Sequence, residues 1–280
     1  MSGLVCPDNY QRSANFLTRR SFVRGAAAAT VCFSPSIAKA SNSLGIDYLE
    51  GLSESSSLAD TNKFVAPHAV HDAYSHVMYV NVAYSGAAMQ KMWVLRRRFS
   101  GWDLAYRDPT AVSGSDGWSW PVSSGALYAN EARAGPTPVG VFNIDERTHR
   151  YRGGWGSPGM YKAVYIDLHY SSGRASGVAI HGTTQSRYTQ LGTPASHGCV
   201  RVTQPNMDVI HSMLFPHGEP REHSPLWGEV PRYFTSDPED SWAARSGYVR
   251  DGRLLHDTIG NTLTKPGYKV LAVFFRDDRA

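Results

Sequence analysis

From Val77 the chain changes from a polar pattern to one dominated by β-branched and aromatic residues. Val77-Met78-Tyr79-Val80-Asn81-Val82-Ala83-Tyr84 and Met89-Gln90-Lys91-Met92-Trp93-Val94-Leu95 flank the turn-like Ser85-Gly86, which predicts a β-hairpin. Further strands are expected over Val139 to Ile144, Tyr161 to His169 and Val178 to His181, with Gly, Pro and Ser clusters between them. Tyr268 to Phe275 is a strongly apolar run that would close the sheet. One stretch has helical spacing: after Gln204-Pro205-Asn206, the apolar Met207, Ile210, Met213 and Leu214 recur on one face, and Thr203 can cap the first turn. The pattern therefore predicts a mainly β domain over residues 74–280 with a short helix. Residues 41–73, rich in Ser, Asn and Asp, read as a linker or N-terminal arm, and the proline-rich 216–266 as an irregular insertion before the closing strand 268–275.

With 280 residues, 41% of them hydrophobic, the chain can bury a substantial core. Its formal charge of +4 does not mark a nucleic-acid partner. The excess resides in Arg12, Arg19, Arg20, Arg24 and Lys39, set against Asp8 alone; without that leader the basic and acidic residues balance. The leader resembles a twin-arginine export signal. Arg19-Arg20 precede an apolar stretch from Gly25 to Ile37, and Ala38-Lys39-Ala40 offers a cleavage site before Ser41. The expectation is a periplasmic protein without a stable membrane anchor, since the apolar stretch falls short of the roughly 20 residues a span requires. Cys6 and Cys32 would leave with residues 1–40, which makes Cys199 the single thiol of the mature chain.

Cys199 is embedded in Ser196-His197-Gly198-Cys199-Val200-Arg201, downstream of His181-Gly182-Thr183-Thr184. A free thiol ionises near pH ~8.5 and is a weak nucleophile until an imidazole takes its proton or a cation holds the thiolate. His181, His197 and Arg201 offer such groups, and a glycine beside the nucleophile lets local N–H groups converge on an oxyanion. Two blander readings stand beside this one. Cys199 could be a buried structural thiol, or it could join His181, His197 and His211 around zinc, although His197-Gly198-Cys199 lacks the usual paired-ligand spacing.

These segments together resemble the YkuD-type L,D-transpeptidase family, whose signature is His-Gly-Thr followed by Ser/Thr-His-Gly-Cys, an apolar residue and Arg. Ser123-Ser124-Gly125 and Thr137-Pro138-Val139-Gly140-Val141-Phe142 look like two upstream elements of the same family. The resemblance implies a β-sandwich-like catalytic domain with Cys199 as nucleophile and His181 as its base. Gly182 would orient the imidazole through its carbonyl. His197 and the backbone of Gly198 and Cys199 would shape the oxyanion site, and Ser196 would hydrogen-bond within the turn. Arg201 would either position the loop or bind a substrate carboxylate, and Thr183 would lie with Ser196 and Gly182 among the substrate-binding residues. The implied partners are peptidoglycan stem peptides, as acyl donor and acceptor, with carbapenem-type inhibitors as a further ligand class; no metal or organic cofactor is implied. L,D-carboxypeptidase or D-amino-acid exchange chemistry could use the same site, and a catalytically idle wall-binding module could retain the fold.

Overall fold

A computed structural model describes residues 45–52, 64–126, 135–146, 148, 155–157, 159–170, 172–216, 221–233, 236–237 and 253–279. The expected leader lies outside them. The larger sheet contains β1 (His76–Asn81), β2 (Lys91–Arg98), β3 (Gly101–Leu104), the short β4 (Trp120–Pro121) and β5 (Gly140–Asn143), together with the C-terminal strand Val270–Phe275. The predicted hairpin is β1 and β2, antiparallel with Met78 opposite Val94. The C-terminal strand runs parallel to β1 and antiparallel to β5, so it is central to the sheet and not its closing edge. A central strand buries both faces, which is why its sequence Val270-Leu271-Ala272-Val273-Phe274-Phe275 is apolar throughout.

The two faces of that sheet serve two cores. Met78, Val80, Met92, Val94, Phe142 and Phe274 face inward onto the second sheet, whereas Val77, Tyr79, Trp93, Leu95, Val273 and Phe275 face outward. The outer face is covered by α1 (Ile46–Gly51), through Leu49 and Leu52, and by Val70 and Tyr74. Leu49 is fully buried, and the Tyr79 hydroxyl donates to the Val65 carbonyl at 2.8 Å. Residues 45–52 and 64–73 are therefore an arm docked on the sheet. A Ser-rich composition hid a few apolar side chains, each contributing about 1.5–3 kcal/mol when fully buried.

The second sheet has the order Val200–Val202, Ala179–Gly182, Met160–Tyr165, Trp155–Ser157. In chain order these are β6 (Trp155–Ser157), β7 (Met160–Tyr165), then β8 (His169–Tyr170) in a separate small pair, β9 (Ala179–Gly182) and β10 (Val200–Val202). The single strand expected over 161–169 divides into β7 and β8, and β7 itself bulges between Tyr161 and Val164, where Lys162 has φ +48°. The helix follows as α2 (Gln204–Leu214), its Asn206 N–H donating to the Thr203 hydroxyl at 3.2 Å, as the capping pattern requires. Met207, Ile210 and Leu214 pack it into the inner core. In the proline-rich segment β11 (Trp227–Pro231) pairs with β13 (Thr264–Tyr268), while β12 (Ser236–Asp237) joins β8; β14 is the central strand Val270–Phe275. Part of the expected irregular insertion is therefore a two-stranded ribbon, whose Val230 enters the outer core. Among the described residues no helix is long and apolar enough to cross a membrane.

Candidate active site

The parallel pairing of β9 and β10 places His181 opposite Arg201. Paired residues project from the same face of a sheet, and so do residues two apart along a strand. Cys199, immediately before β10, therefore shares its face with Arg201 and His181, while Val200 turns into the core. All three line a cleft of about 710 Å3 with Met160, Arg187 and His197, within the usual size of a small-molecule site. Cys199 is partly exposed and its thiol faces the Gly177 carbonyl at 3.7 Å.

His181 is buried, and its Nδ1 lies 3.0 Å from the Gly182 carbonyl. A carbonyl only accepts, so Nδ1 carries the proton and Nε2 keeps its lone pair. Burial pushes the imidazole from its ordinary 6.5 down to about 4; the Gly182 carbonyl opposes this, while the charges of Arg201 and Arg187 reinforce it. The histidine is thus a neutral base of fixed tautomer at neutral pH. Gly182 contributes more than its carbonyl, because a Cβ there would lie 2.9 Å from Cδ1 of the Tyr161 ring.

The Cys199 loop is held by elements far away in sequence. Ser123 exchanges backbone hydrogen bonds with Arg201 at 3.0 and 2.9 Å, and the Ser196 N–H donates to the Ser124 carbonyl at 2.8 Å. The buried Gln90 fixes Ser124 in turn, donating to its hydroxyl at 2.8 Å and accepting from its N–H at 2.7 Å. Thr137 donates to the Gly198 carbonyl at 2.9 Å and accepts from the Gly125 N–H at 2.8 Å. Gly198 has φ +125°, a region that favours glycine, and a Cβ on Gly125 would fall 2.9 Å from the Gly198 Cα. The two glycines permit this close approach.

The other expected site residues are each held by their own local contacts. Ser196 does hydrogen-bond within the turn, donating to the Cys199 carbonyl, but it also accepts from the Gly198 N–H at 3.2 Å. Ser196 thus ties both ends of the Gly198–Cys199 turn. Arg201 is buried, with Nη1 donating to the Ala195 carbonyl at 2.9 Å and to Gln190 Oε1 at 3.2 Å, which is the loop-positioning arrangement. Thr183 is buried outside the cleft lining, its N–H donating to the Val202 carbonyl at 3.0 Å, which extends the pairing of β9 and β10. His197 is exposed in the cleft, whereas His211 is buried on α2 against Phe215, with ring centroids 4.7 Å apart, and does not line the cleft. The four residues weighed as zinc ligands are therefore not brought together there. Arg187, on the 3-10 turn Gln185–Gln190, was not anticipated; an isolated Arg in a polar turn carries no periodic signal.

The mainly β domain thus holds a cysteine and a neutral, buried histidine in one cleft. Residues 106–216, which contain the whole cleft lining, match the family model YkuD, the L,D-transpeptidase catalytic domain. Among solved structures it is similar to an L,D-transpeptidase from Mycobacterium tuberculosis, at 19% identity over 50% of this chain and 53% of that one, with a TM-score of 0.31. Another is L,D-transpeptidase 3 from the same organism with a faropenem-derived adduct, at 20% identity over 48% of this chain and 54% of that one, TM-score 0.28. A third is an L,D-transpeptidase from Xylanimonas cellulosilytica, at 22% identity over 49% and 53%, TM-score 0.28. The chain spans about half the length of each of these. No curated protein matches it.

Proposed function

We propose that this protein is a peptidoglycan L,D-transpeptidase acting through a Cys199 thioester. The observation that carries the reading is His181. Its Nδ1–H is fixed on the Gly182 carbonyl, its ring is neutral, and it shares a cleft and a sheet face with the only cysteine outside the leader. A carbonyl oxygen here does the orienting work that a carboxylate does in a Ser-His-Asp triad.

In the forward reaction His181 Nε2 takes the thiol proton as sulfur adds to the donor carbonyl at the third residue of a stem peptide. The Cys199 N–H and His197 stabilise the developing oxyanion. Collapse expels the terminal D-alanine amine, which takes the proton from the imidazolium, and leaves a thioester. An amine of a second stem then displaces Cys199 to form the cross-link; water in its place would give an L,D-carboxypeptidase. Carbapenem-type inhibitors would acylate the same sulfur. The twin-arginine-like leader supports a periplasmic location, where this substrate resides. The test incubates residues 41–280 and the Cys199→Ala variant with disaccharide-tetrapeptides. Dimers formed by the Cys199 protein alone are expected, and mass-spectrometric fragmentation identifies the bond. Dimers from both proteins, or from neither, would overturn the proposal.

A further inference from the structure

The cleft is asymmetric in charge, and the chemistry above does not use the asymmetry. Its lining holds two guanidinium groups, Arg187 and Arg201, and no carboxylate among the described residues. Arg201 is already engaged by Ala195 and Gln190 beneath the loop. Arg187 is exposed on its 3-10 turn. The turn is closed by the Arg187 N–H donating to the Thr184 carbonyl at 2.9 Å, which fixes the backbone. Among the described residues, its guanidinium makes no hydrogen bond or ion pair. A cation held at a cleft wall by its backbone, with five unspent donors in a planar fork, is suited to a carboxylate.

We propose that Arg187 forms a carboxylate subsite that binds the free terminal carboxylate of the acyl-donor peptide. The inference rests on reading the cleft as an L,D-transpeptidase site. A donor ending in D-alanine carries its terminal carboxylate one residue beyond the carbonyl that Cys199 attacks. Arg187 then selects for a free terminus and orients the bond for attack. The carboxylate departs with the leaving D-alanine, so the subsite acts in acylation and is vacated before the acceptor amine arrives.

Two measurements on the mature chain test this. The first needs no peptide: the rates at which Cys199 is alkylated by iodoacetate and by iodoacetamide are compared in wild type, Arg187→Gln and Arg187→Lys. Loss of one charge-assisted hydrogen bond predicts that Arg187→Gln slows iodoacetate about tenfold. The neutral reagent should keep its rate, which shows the thiol and loop intact, and Arg187→Lys should recover part of the loss. An unchanged iodoacetate-to-iodoacetamide ratio overturns the proposal. The second compares tetrapeptide donors with a C-terminal acid or amide. Arg187→Gln should lower acylation kcat/KM for the acid donor about tenfold, and leave the amide donor unaffected; equal losses with both overturn the assignment. If no stem peptide is turned over by wild type while the iodoacetate effect stands, the transpeptidase reading fails and the anion subsite survives.

Discussion

The neutral His181 has a thermodynamic signature that can be read without any substrate. Its folded-state value near 4 lies below the ordinary 6.5, so between these values the unfolded chain binds a proton that the native chain excludes. Acid therefore favours unfolding: the contribution is constant above about pH 6.5, falls as pH drops through the window, and levels off below 4. At about 1.4 kcal/mol per unit, the loss is about 2 kcal/mol by pH 5 and about 3 kcal/mol by pH 4. His76, buried and pushed to about 4 by desolvation and the neighbouring Arg96, adds a parallel loss, so the wild-type curve alone is not diagnostic. The difference between wild type and His181→Gln is diagnostic, because His76 is common to both. Urea unfolding followed through the buried Trp93 and Trp120 at pH 7, 5 and 4 should show that difference moving by about 3 kcal/mol against wild type. A difference that stays constant with pH would refute the neutral-base argument, since a histidine with an ordinary value contributes no such term.

Two other substitutions probe the support of the loop. Gly125→Ala would put a methyl 2.3 Å from the Gly135 carbonyl oxygen and 2.9 Å from the Gly198 Cα, both backbone atoms. It should cost about 1–3 kcal/mol or more in urea unfolding and slow alkylation of Cys199. Arg201→Met removes the donors to Ala195 and Gln190 while keeping an apolar stem; a loss of about 1.5–3 kcal/mol is expected, with faster proteolysis between residues 185 and 195.

Much of this was legible in the chain because the signals were local. The β1–β2 hairpin, the capped α2 and the Cys199 and His181 segments each declare themselves within a few residues. What depended on distant partners was not legible. Apolar content marked Val270–Phe275 as a buried closing strand, yet nothing in it names β1 and β5 as its neighbours. Leu49 and Leu52 in a polar segment carry too little period to announce α1 as a cover. At the site, the motif supplied the residue types but not the hydrogen bonds that assign them work. Only geometry reveals the Gly198 amide bonded to Ser196, or separates an engaged Arg201 from an exposed Arg187.

The parallel pair of β1 and β14 bears on how the chain is born. His76–Asn81 leaves the ribosome long before Val270–Phe275, its partner in the middle of the larger sheet. Until that last strand arrives, β1 and β5 both present unpaired backbone along the edges where β14 will lie, and both cores lack Val273 or Phe274. Long-range pairing of this kind folds slowly and leaves sticky edges open in the meantime. The Cys199 loop depends on Ser124, which is fixed by Gln90, immediately before β2 in that same sheet. The supports of Cys199 are therefore completed late in synthesis, and a truncated chain would carry the thiol without the frame that holds it.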